Sequence, residues 1–205
     1  YNLVKNRYLE FKEDGVFITD ETAALYVYKI VNRHGQEFSG IIAATSAEDY
    51  ENDVIKKHED TIAKREQTFK KYIQTVGFNA EPVLLTYPDN TIIANIIKET
   101  QKAHAEVEFT MTYRDTHYLW KIDDDRTIAK IQNEFKQMAT IYIADGHHRS
   151  ASSYLLYKDE KEKNLNHNGS ESYNFFMSYL IPESNLVIHE FNRLIKDLNG
   201  LSKEE

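Results

Sequence analysis

The sequence predicts a mixed α/β fold in which helices pack around a mixed β-sheet. Short apolar runs of β-branched and aromatic residues alternate along the chain with segments whose apolar residues recur every three or four positions. The 205 residues, 41% hydrophobic and 28% charged, suffice for a sizeable core. We expect one mixed α/β domain over residues 1–205. A possible division separates a β-rich part at 1–50 from a motif-bearing part at 51–205.

The chain is also expected to be a fragment of a longer protein. It begins with Tyr1 instead of methionine, and the residues before Glu205 are not typical of a natural terminus. A missing N- or C-terminal part could complete a site that this chain carries only in part.

The first third of the chain predicts mostly strands. Segments 8–11, 23–31 and 38–44 are β-prone, and residues 32–35 end in Gly35, which favours a hairpin turn between the last two. Ser46 is a good N-cap for a short helix through Tyr50. Residues 54–76 predict one long helix, ended by Gly77.

The remaining elements alternate between strand and helix. We predict a strand at 82–87, a helix at 92–102, a hairpin from 107–112 and 118–122, and an amphipathic helix around 128–138. Beyond these, the pattern predicts the following segments: a strand at 141–144, a helix to about residue 158, a mobile loop at 158–172, a buried element at 173–181, a short strand at 186–188 and a last helix at 191–198.

Composition excludes several classes of function. The net charge of −8 disfavours a general nucleic-acid-binding surface. The absence of cysteine excludes disulfides, thiol catalysis and cysteine-ligated metals. No apolar run approaches the roughly 18 residues of a membrane span, and no signal peptide is visible. We therefore expect a cytoplasmic, bacterial-type protein whose partner is a small-molecule substrate, with no nucleic acid and no membrane.

The most informative segment is residues 141–150, where a buried strand turns into a helix. Asp145, Gly146, His147, His148 and Arg149 lie within this turn. A helix start offers free N–H groups and a positive dipole end, which favour an anion, and the arginine adds a fork suited to phosphate or carboxylate. The alternative is a capped helix, in which Asp145 bonds the free N–H groups and the histidines are partly buried spacers.

A second polar cluster lies at residues 56–61. His58 and Glu59 could perform acid–base chemistry if the chain brings them beside Asp145. The alternative is a solvated helix start with acidic residues at its positive end. The cluster has no second histidine at the spacing of a zincin motif.

A metal site is a further alternative at the 145–149 turn. Asp145, His147 and His148 are all possible ligands for zinc, manganese or iron. However, the histidines are adjacent in sequence and Arg149 would repel a bare cation, so Mg²⁺ accompanying a phosphate ligand fits better than a tightly bound metal.

Together the clusters resemble the signatures of a large family of uncharacterised bacterial and archaeal proteins, a conserved domain of unknown function. The matching motifs are Ile143-Ala144-Asp145-Gly146-His147-His148-Arg149 and Lys57-His58-Glu59-Asp60-Thr61, with residues 40–43 before them and 81–85 between them in the family's order. The resemblance covers essentially the whole chain, and implies that it is the middle portion of a longer protein. One departure is Thr68-Phe69, where many members carry an Asp-Arg pair.

The 145–149 turn is also similar to the phosphate-binding turn of the ParB/sulfiredoxin superfamily, which includes nucleotide-dependent free-serine kinases and CTP-binding partition proteins. That likeness implies a Mg²⁺-dependent phosphotransferase using ATP or ADP on a small hydroxylated metabolite. It implies that Glu59 acts as base, with His58 and Asp145 as further catalytic residues. The implied phosphate-binding residues are Gly146, His147, His148, Arg149 and Ser150.

Two hypotheses from other classes stay open on sequence alone. One is a non-catalytic regulatory domain that changes conformation when it binds a nucleotide or anion. The other is a metal-dependent hydrolase. The substrate, the preferred nucleotide and the oligomeric state do not follow from the sequence.

Overall fold

The computed structural model describes residues 1–190, 192–197 and 199–202. Its helices are α1 (Asn2–Glu13), α2 (Ala47–Glu51), α3 (Ala63–Val76), α4 (Thr91–Thr100), α5 (Asp125–Lys136) and α6 (His147–Lys163). Its strands are β1 (Leu25–Val31), β2 (Glu37–Ser46), β3 (Ile55–Lys56), β4 (Val83–Tyr87), β5 (Val107–Thr110), β6 (Thr116–Ile122), β7 (Ile141–Asp145) and β8 (Phe175–Pro182). The predicted mixed α/β class is confirmed.

These strands form one mixed sheet in the order β3-β7-β4-β8-β2-β1-β6-β5. One end is an antiparallel meander of hairpins, with β1 between β2 and β6. The other end contains the two parallel pairs, β3 with β7 and β4 with β8. Strand β2 pairs with β8 in the middle of the sheet. The strands of the 1–50 segment therefore belong to the same sheet as those of the motif-bearing segment.

The core follows the alternation of the strands. In β7, Ile141 and Ile143 are buried while Tyr142 between them is 47% exposed. Leu85 of β4 and Phe176 of β8 are almost fully buried beside them. Helix α3 packs against α6, and α4 packs against α5. The 141–150 segment is thus anchored in the core on one side and covered by α3 on another.

Several local signals act as predicted. The Ser46 hydroxyl accepts a hydrogen bond from the Glu48 N–H at 3.1 Å and caps α2. Gly77 ends α3 with a φ of +83°, in the left-handed region that glycine adopts readily. The hairpins β1–β2 and β5–β6 are also confirmed.

Two predictions in the first third of the chain were wrong. Residues 8–11 lie inside α1 and not in a strand. Residues 54–76 are not one helix, because Ile55–Lys56 forms the short strand β3 and α3 begins only at Ala63. The Ile141 N–H donates to the Val54 carbonyl at 2.9 Å, so pairing with β7 overrides the helical pattern.

The C-terminal predictions need three corrections. Helix α6 continues to Lys163, past the predicted start of a mobile loop at residue 158. Residues 164–171 form the rest of the predicted loop, within which the carboxylate of Glu171 accepts the N–H groups of Asn168 and Gly169 at 2.8 and 3.0 Å. Although burial acts in the opposite direction, these hydrogen bonds lower the pKa of Glu171 to about 2.

The second correction concerns residues 186–188, which the structure describes and which form no strand. The predicted last helix begins at Phe191 and ends at Leu198, and both residues lie outside the described residues. The third correction is that residues 192–197, between them, are not helical. The buried element predicted at 173–181 is confirmed as strand β8.

Candidate functional site

The site is built on the turn between β7 and α6. Gly146 adopts φ +98° and ψ +30°, which turns the chain from strand into helix at once. No side chain within the described residues caps α6. The first backbone bond of the helix runs from the Ser150 N–H to the Gly146 carbonyl at 2.9 Å, so the preceding N–H groups of the first turn have no acceptor within the helix. The uncapped helix start that the sequence predicted is therefore present, and its binding of an anion stays a prediction.

Asp145 does not cap the helix, which corrects the capped-helix alternative. Its Oδ2 accepts a hydrogen bond from Nη2 of Arg149 at 2.8 Å, one turn further along α6. Because Gly146 occupies the N-cap position, the aspartate lies one residue too early to reach the helix N–H groups. The Asp145 side chain is 73% exposed, so its other oxygen remains accessible.

Arg149 bridges two carboxylates. Its Nη1 donates to Oε2 of Glu81, also at 2.8 Å, in the loop before β4. The side chain of Arg149 is only 29% exposed, whereas that of Glu81 is 70% exposed. The guanidinium lies directly against Gly146, where an added Cβ would come within 3.0 Å of Nε and Nη2. The fork predicted to hold a phosphate is therefore already engaged, with Nε buried and without a partner among the described residues.

The two sequence motifs meet at His147. The backbone N–H of His58 donates to Nε2 of His147 at 3.4 Å, and Oε2 of Glu59 lies 3.8 Å from its Nδ1. The ring centroids of His58 and His147 are 4.4 Å apart, and the ring planes make an angle of 84°. Because Nε2 accepts, the neutral imidazole carries its proton on Nδ1, facing Glu59. His58 and Glu59 therefore lie beside the turn, which is the condition that the acid–base hypothesis required.

Parallel pairing of β3 and β7 brings the motifs together. Ile55 lies opposite Ile141 and Lys56 opposite Tyr142. Parallel strands end at the same edge of a sheet, so the residues that follow β3 lie beside those that follow β7. The alternative of a solvated helix start at 58–60 is wrong, because these residues form a loop between β3 and α3.

The environment of His147 favours its neutral form. Its side chain is 7% exposed, and burial lowers its pKa below the ordinary value of 6.5. The nearby His58 lowers the pKa further, while the carboxylates of Glu59 and Asp145 act in the opposite direction. At neutral pH the imidazole is therefore a neutral hydrogen-bonding group between the two motifs.

Ser150 and His148 are the two remaining residues of the predicted phosphate-binding set. Ser150 is fully buried and its hydroxyl donates to the Gly146 carbonyl at 3.2 Å, which stabilises the first turn of α6. His148 is half-buried, with its ring centroid 6.5 Å from that of Phe69. Its Nδ1 is buried without a hydrogen-bond partner in the described part of the chain. Ser150 thus faces the interior, and His148 faces α3.

Two pockets flank the site. A cavity of about 330 Å³ reaches Arg149 and Glu81, with walls from α3, β4 and β8. A smaller pocket of about 210 Å³ is lined by polar side chains that include Lys57, Glu59 and Thr61.

Sequence analysis missed Glu81 as a site residue. The available signal was its position just before β4, although the antiparallel pairing of β4 with β7 was needed to place it.

Neither a metal cluster nor a membrane-spanning helix is found among the described residues. No group of three or more histidine, aspartate or glutamate side chains in that part of the chain is arranged to hold a metal ion. Among the helices the structure describes, none has the length and apolar character needed to cross a membrane.

The fold and the site define a mixed α/β protein whose candidate site lies at a strand–turn–helix junction. The chain belongs to the family described as protein of unknown function (DUF1015), whose model matches residues 1–205. No curated protein and no solved structure matches the chain. Membership of an uncharacterised family, predicted from the two motifs, is confirmed. The likeness to the ParB/sulfiredoxin superfamily stays a prediction.

Proposed function

We propose that the protein is a nucleotide-dependent phosphotransferase that phosphorylates a hydroxyl group of a small metabolite. One observation carries the proposal: Glu59 lies 3.8 Å from Nδ1 of His147, at the start of a helix that no described side chain caps. A candidate base therefore lies beside a group of N–H donors that favours phosphate. Phosphoryl transfer depends mainly on positioning and charge neutralisation, which this arrangement can supply.

On the phosphate side, Arg149 exchanges its present partners for the nucleotide. Glu81 and Asp145 are 70% and 73% exposed, and surface ion pairs contribute only about 0–1 kcal/mol each. A hydrogen bond to a charged group contributes about 1.5–3 kcal/mol, so a bound phosphate can outcompete them. ATP or ADP would bring Mg²⁺, which neutralises phosphate charge, and the oxygens of Asp145 and Glu81 suit such a hard cation.

On the acceptor side, Glu59 faces the polar pocket. Its side chain is 68% exposed, so it can accept a hydrogen bond from a substrate hydroxyl while His147 orients it. The hydroxyl oxygen attacks the terminal phosphorus, the bond from phosphorus to the departing nucleotide oxygen breaks, and the hydroxyl proton passes to Glu59. The nucleotide leaves one phosphate shorter.

The direct test is Glu59→Gln. We expect this variant to bind ATP as the wild type does but to lose phosphoryl transfer to a panel of small hydroxylated metabolites, followed with labelled γ-phosphate. Glu13→Gln, at an exposed position in α1, makes the same change in charge and should transfer normally. Full activity of Glu59→Gln would overturn its role as the base.

A second candidate function is a regulatory nucleotide-binding domain. The observation that favours it is the bridge from Arg149 to Glu81, which ties the start of α6 to the loop before β4. An anion that takes Arg149 would release Glu81 and free that loop. Binding of ATP with no turnover for any acceptor, together with changed proteolysis near residue 81, would support this function over transfer.

A further inference from the structure

The cavity beside Arg149 has the character of a binding site for a flat ring. It lies between α3, the loop after it, β4, β8 and the first turns of α6, and its volume is about 330 Å³. Aromatic side chains form much of its wall: Phe69, Tyr72, Phe78 and Phe176. This volume is at the lower end of the range for small-molecule pockets, and such walls suit a planar apolar ligand.

Two polar groups of α6 that line this cavity have no hydrogen-bond partner in the described part of the chain, the buried Nε of Arg149 and the hydroxyl of Ser153. Ser153 is 6% exposed and lines the cavity, and its hydroxyl makes no hydrogen bond within the described residues. The neighbouring serines of α6 behave differently. The Ser150 hydroxyl donates to Gly146 at 3.2 Å and that of Ser152 to His148 at 2.5 Å. The Ser153 hydroxyl does not bond back to its own helix, and as part of the cavity wall it is available to a ligand.

The two pockets lie on opposite faces of α6. Arg149 and Ser153 line the apolar cavity, whereas Ala151 and Tyr154 line the polar pocket that contains Glu59. Positions 149 and 151 are about 200° apart around a helix whose diameter is about 10 Å. An elongated ligand can therefore start in the cavity, pass over the open end of α6 and finish beside Glu59.

We propose that this cavity binds the purine base of the nucleotide, an inference that rests on the proposed function. The base stacks against the aromatic wall and accepts or donates a hydrogen bond at the Ser153 hydroxyl. The phosphates leave through the mouth at Arg149 and reach the helix start. A purine fits better than a pyrimidine, because its larger ring system covers more of the aromatic wall. The acceptor then occupies the polar pocket on the other face.

The test is calorimetric binding of ATP, GTP, CTP and inorganic tripolyphosphate to the wild type and three variants. Phe69→Ala removes an aromatic wall that is 41% exposed, and Phe109→Ala is its matched control, 49% exposed on β5. Ser153→Leu fills the cavity from inside. Circular dichroism and thermal unfolding establish that each variant is folded before it is titrated.

For Phe69→Ala we expect purine nucleotides to bind roughly three- to tenfold more weakly, and for Ser153→Leu at least tenfold more weakly, about 1.4 kcal/mol. Phe109→Ala should match the wild type. Tripolyphosphate should bind all four proteins with similar affinity, because it lacks a base. In the wild type, ATP and GTP should bind more tightly than CTP.

The possible failures are distinguishable. If ATP binds all four proteins equally, or if CTP binds as tightly as ATP, the base site is overturned while nucleotide binding stands. If tripolyphosphate binds but no nucleotide gains affinity from its base, the cavity does not hold the base. If neither ATP nor tripolyphosphate binds the wild type, the proposed function and the base site are both overturned.

Discussion

Helix α5 is preceded by Asp124, and helix α6 is preceded by Asp145 and Gly146. Of these two helices, only α5 is capped by its aspartate. The carboxylate of Asp124 accepts hydrogen bonds from the backbone N–H and the hydroxyl of Thr127, at 2.9 and 2.8 Å. This is the arrangement that stabilises an ordinary helix start. At α6 the N-cap position belongs to Gly146, and the carboxylate of Asp145 binds Arg149 instead.

The difference separates a structural helix start from a candidate functional one. The cap at α5 satisfies the Thr127 N–H and places a carboxylate at the helix start, where it would repel an anionic ligand. At α6 the same polar residue type holds a basic side chain and leaves the backbone donors open. The number of polar residues is therefore less informative than the identity of the groups that they bind.

The largest effect is expected from Gly146→Ala, which changes the glycine at the N-cap position of α6. The residue has a φ of +98°, and the new Cβ would lie 3.0 Å from Nε of Arg149. Backbone strain of this kind costs about 1–3 kcal/mol, and the displaced guanidinium adds to it. Urea unfolding measures the loss. Gly169→Ala, with a φ of +89° and open space around it, should lose less; equal losses would mean that the contact with Arg149 contributes nothing.

The second prediction compares the caps directly. Asp124→Ala removes a cap and is expected to lower the denaturant midpoint more than Asp145→Ala, which removes only an exposed ion pair. Asn90→Ala calibrates the scale, because the Asn90 side chain accepts the Ile92 and Ile93 N–H groups of α4 at 2.9 and 3.0 Å and loss of such a cap costs about 1 kcal/mol. If Asp145→Ala proved the most destabilising of the three, the distinction between the two helix starts would fail.

The third prediction concerns pH at the α6 start. Burial lowers the pKa of His147 below 6.5 in the folded protein. The unfolded chain therefore takes up the proton first as pH falls. The contribution of neutral His147 to the free energy of unfolding is fully present above pH 6.5. Below that pH it declines, by at most about 1.4 kcal/mol per pH unit for one proton. Urea unfolding between pH 7.5 and 5.5 should show this decline in the wild type and in His34→Gln, a control at an exposed position. In His147→Gln the free energy of unfolding should decline less over the same pH range.

The smallest effect is expected at the α5 start. The side-chain hydrogen bond from Thr127, followed by its backbone N–H, lowers the pKa of Asp124 below 3.8. The stability that this cap provides is therefore present above pH 3.8 and is lost as the pH falls through the lower folded value. An NMR titration of the carboxyl carbons checks it. Thr127→Val removes the hydroxyl donor and should raise the Asp124 pKa toward 3.8; an unchanged value would contradict the assignment.

Local pattern predicted most of the elements. The strands β1, β2, β4 and β7 and the helices α4 and α5 follow from periodicities that a few neighbouring residues determine. The errors occur where a long-range contact outweighs local preference. Val54 and Ile55 continue a helical pattern, yet they pair with β7 because that places Ile55 in the core at 1% exposure. In α1, no residue is buried, so the segment lacks the buried apolar face by which a helix is recognised in a sequence.

For the candidate site, the sequence by itself identified the chemistry-bearing turn at 145–149 and the His58–Glu59 pair, because residue types and the strand–glycine–helix pattern are local properties. The tertiary structure alone decided which groups meet. A two-residue strand pairs with β7 and brings Glu59 to His147, while pairing of β4 with β7 brings Glu81 to Arg149. Such contacts join residues up to 89 positions apart, and their geometry depends on how the whole sheet closes, a property that no local window of sequence contains.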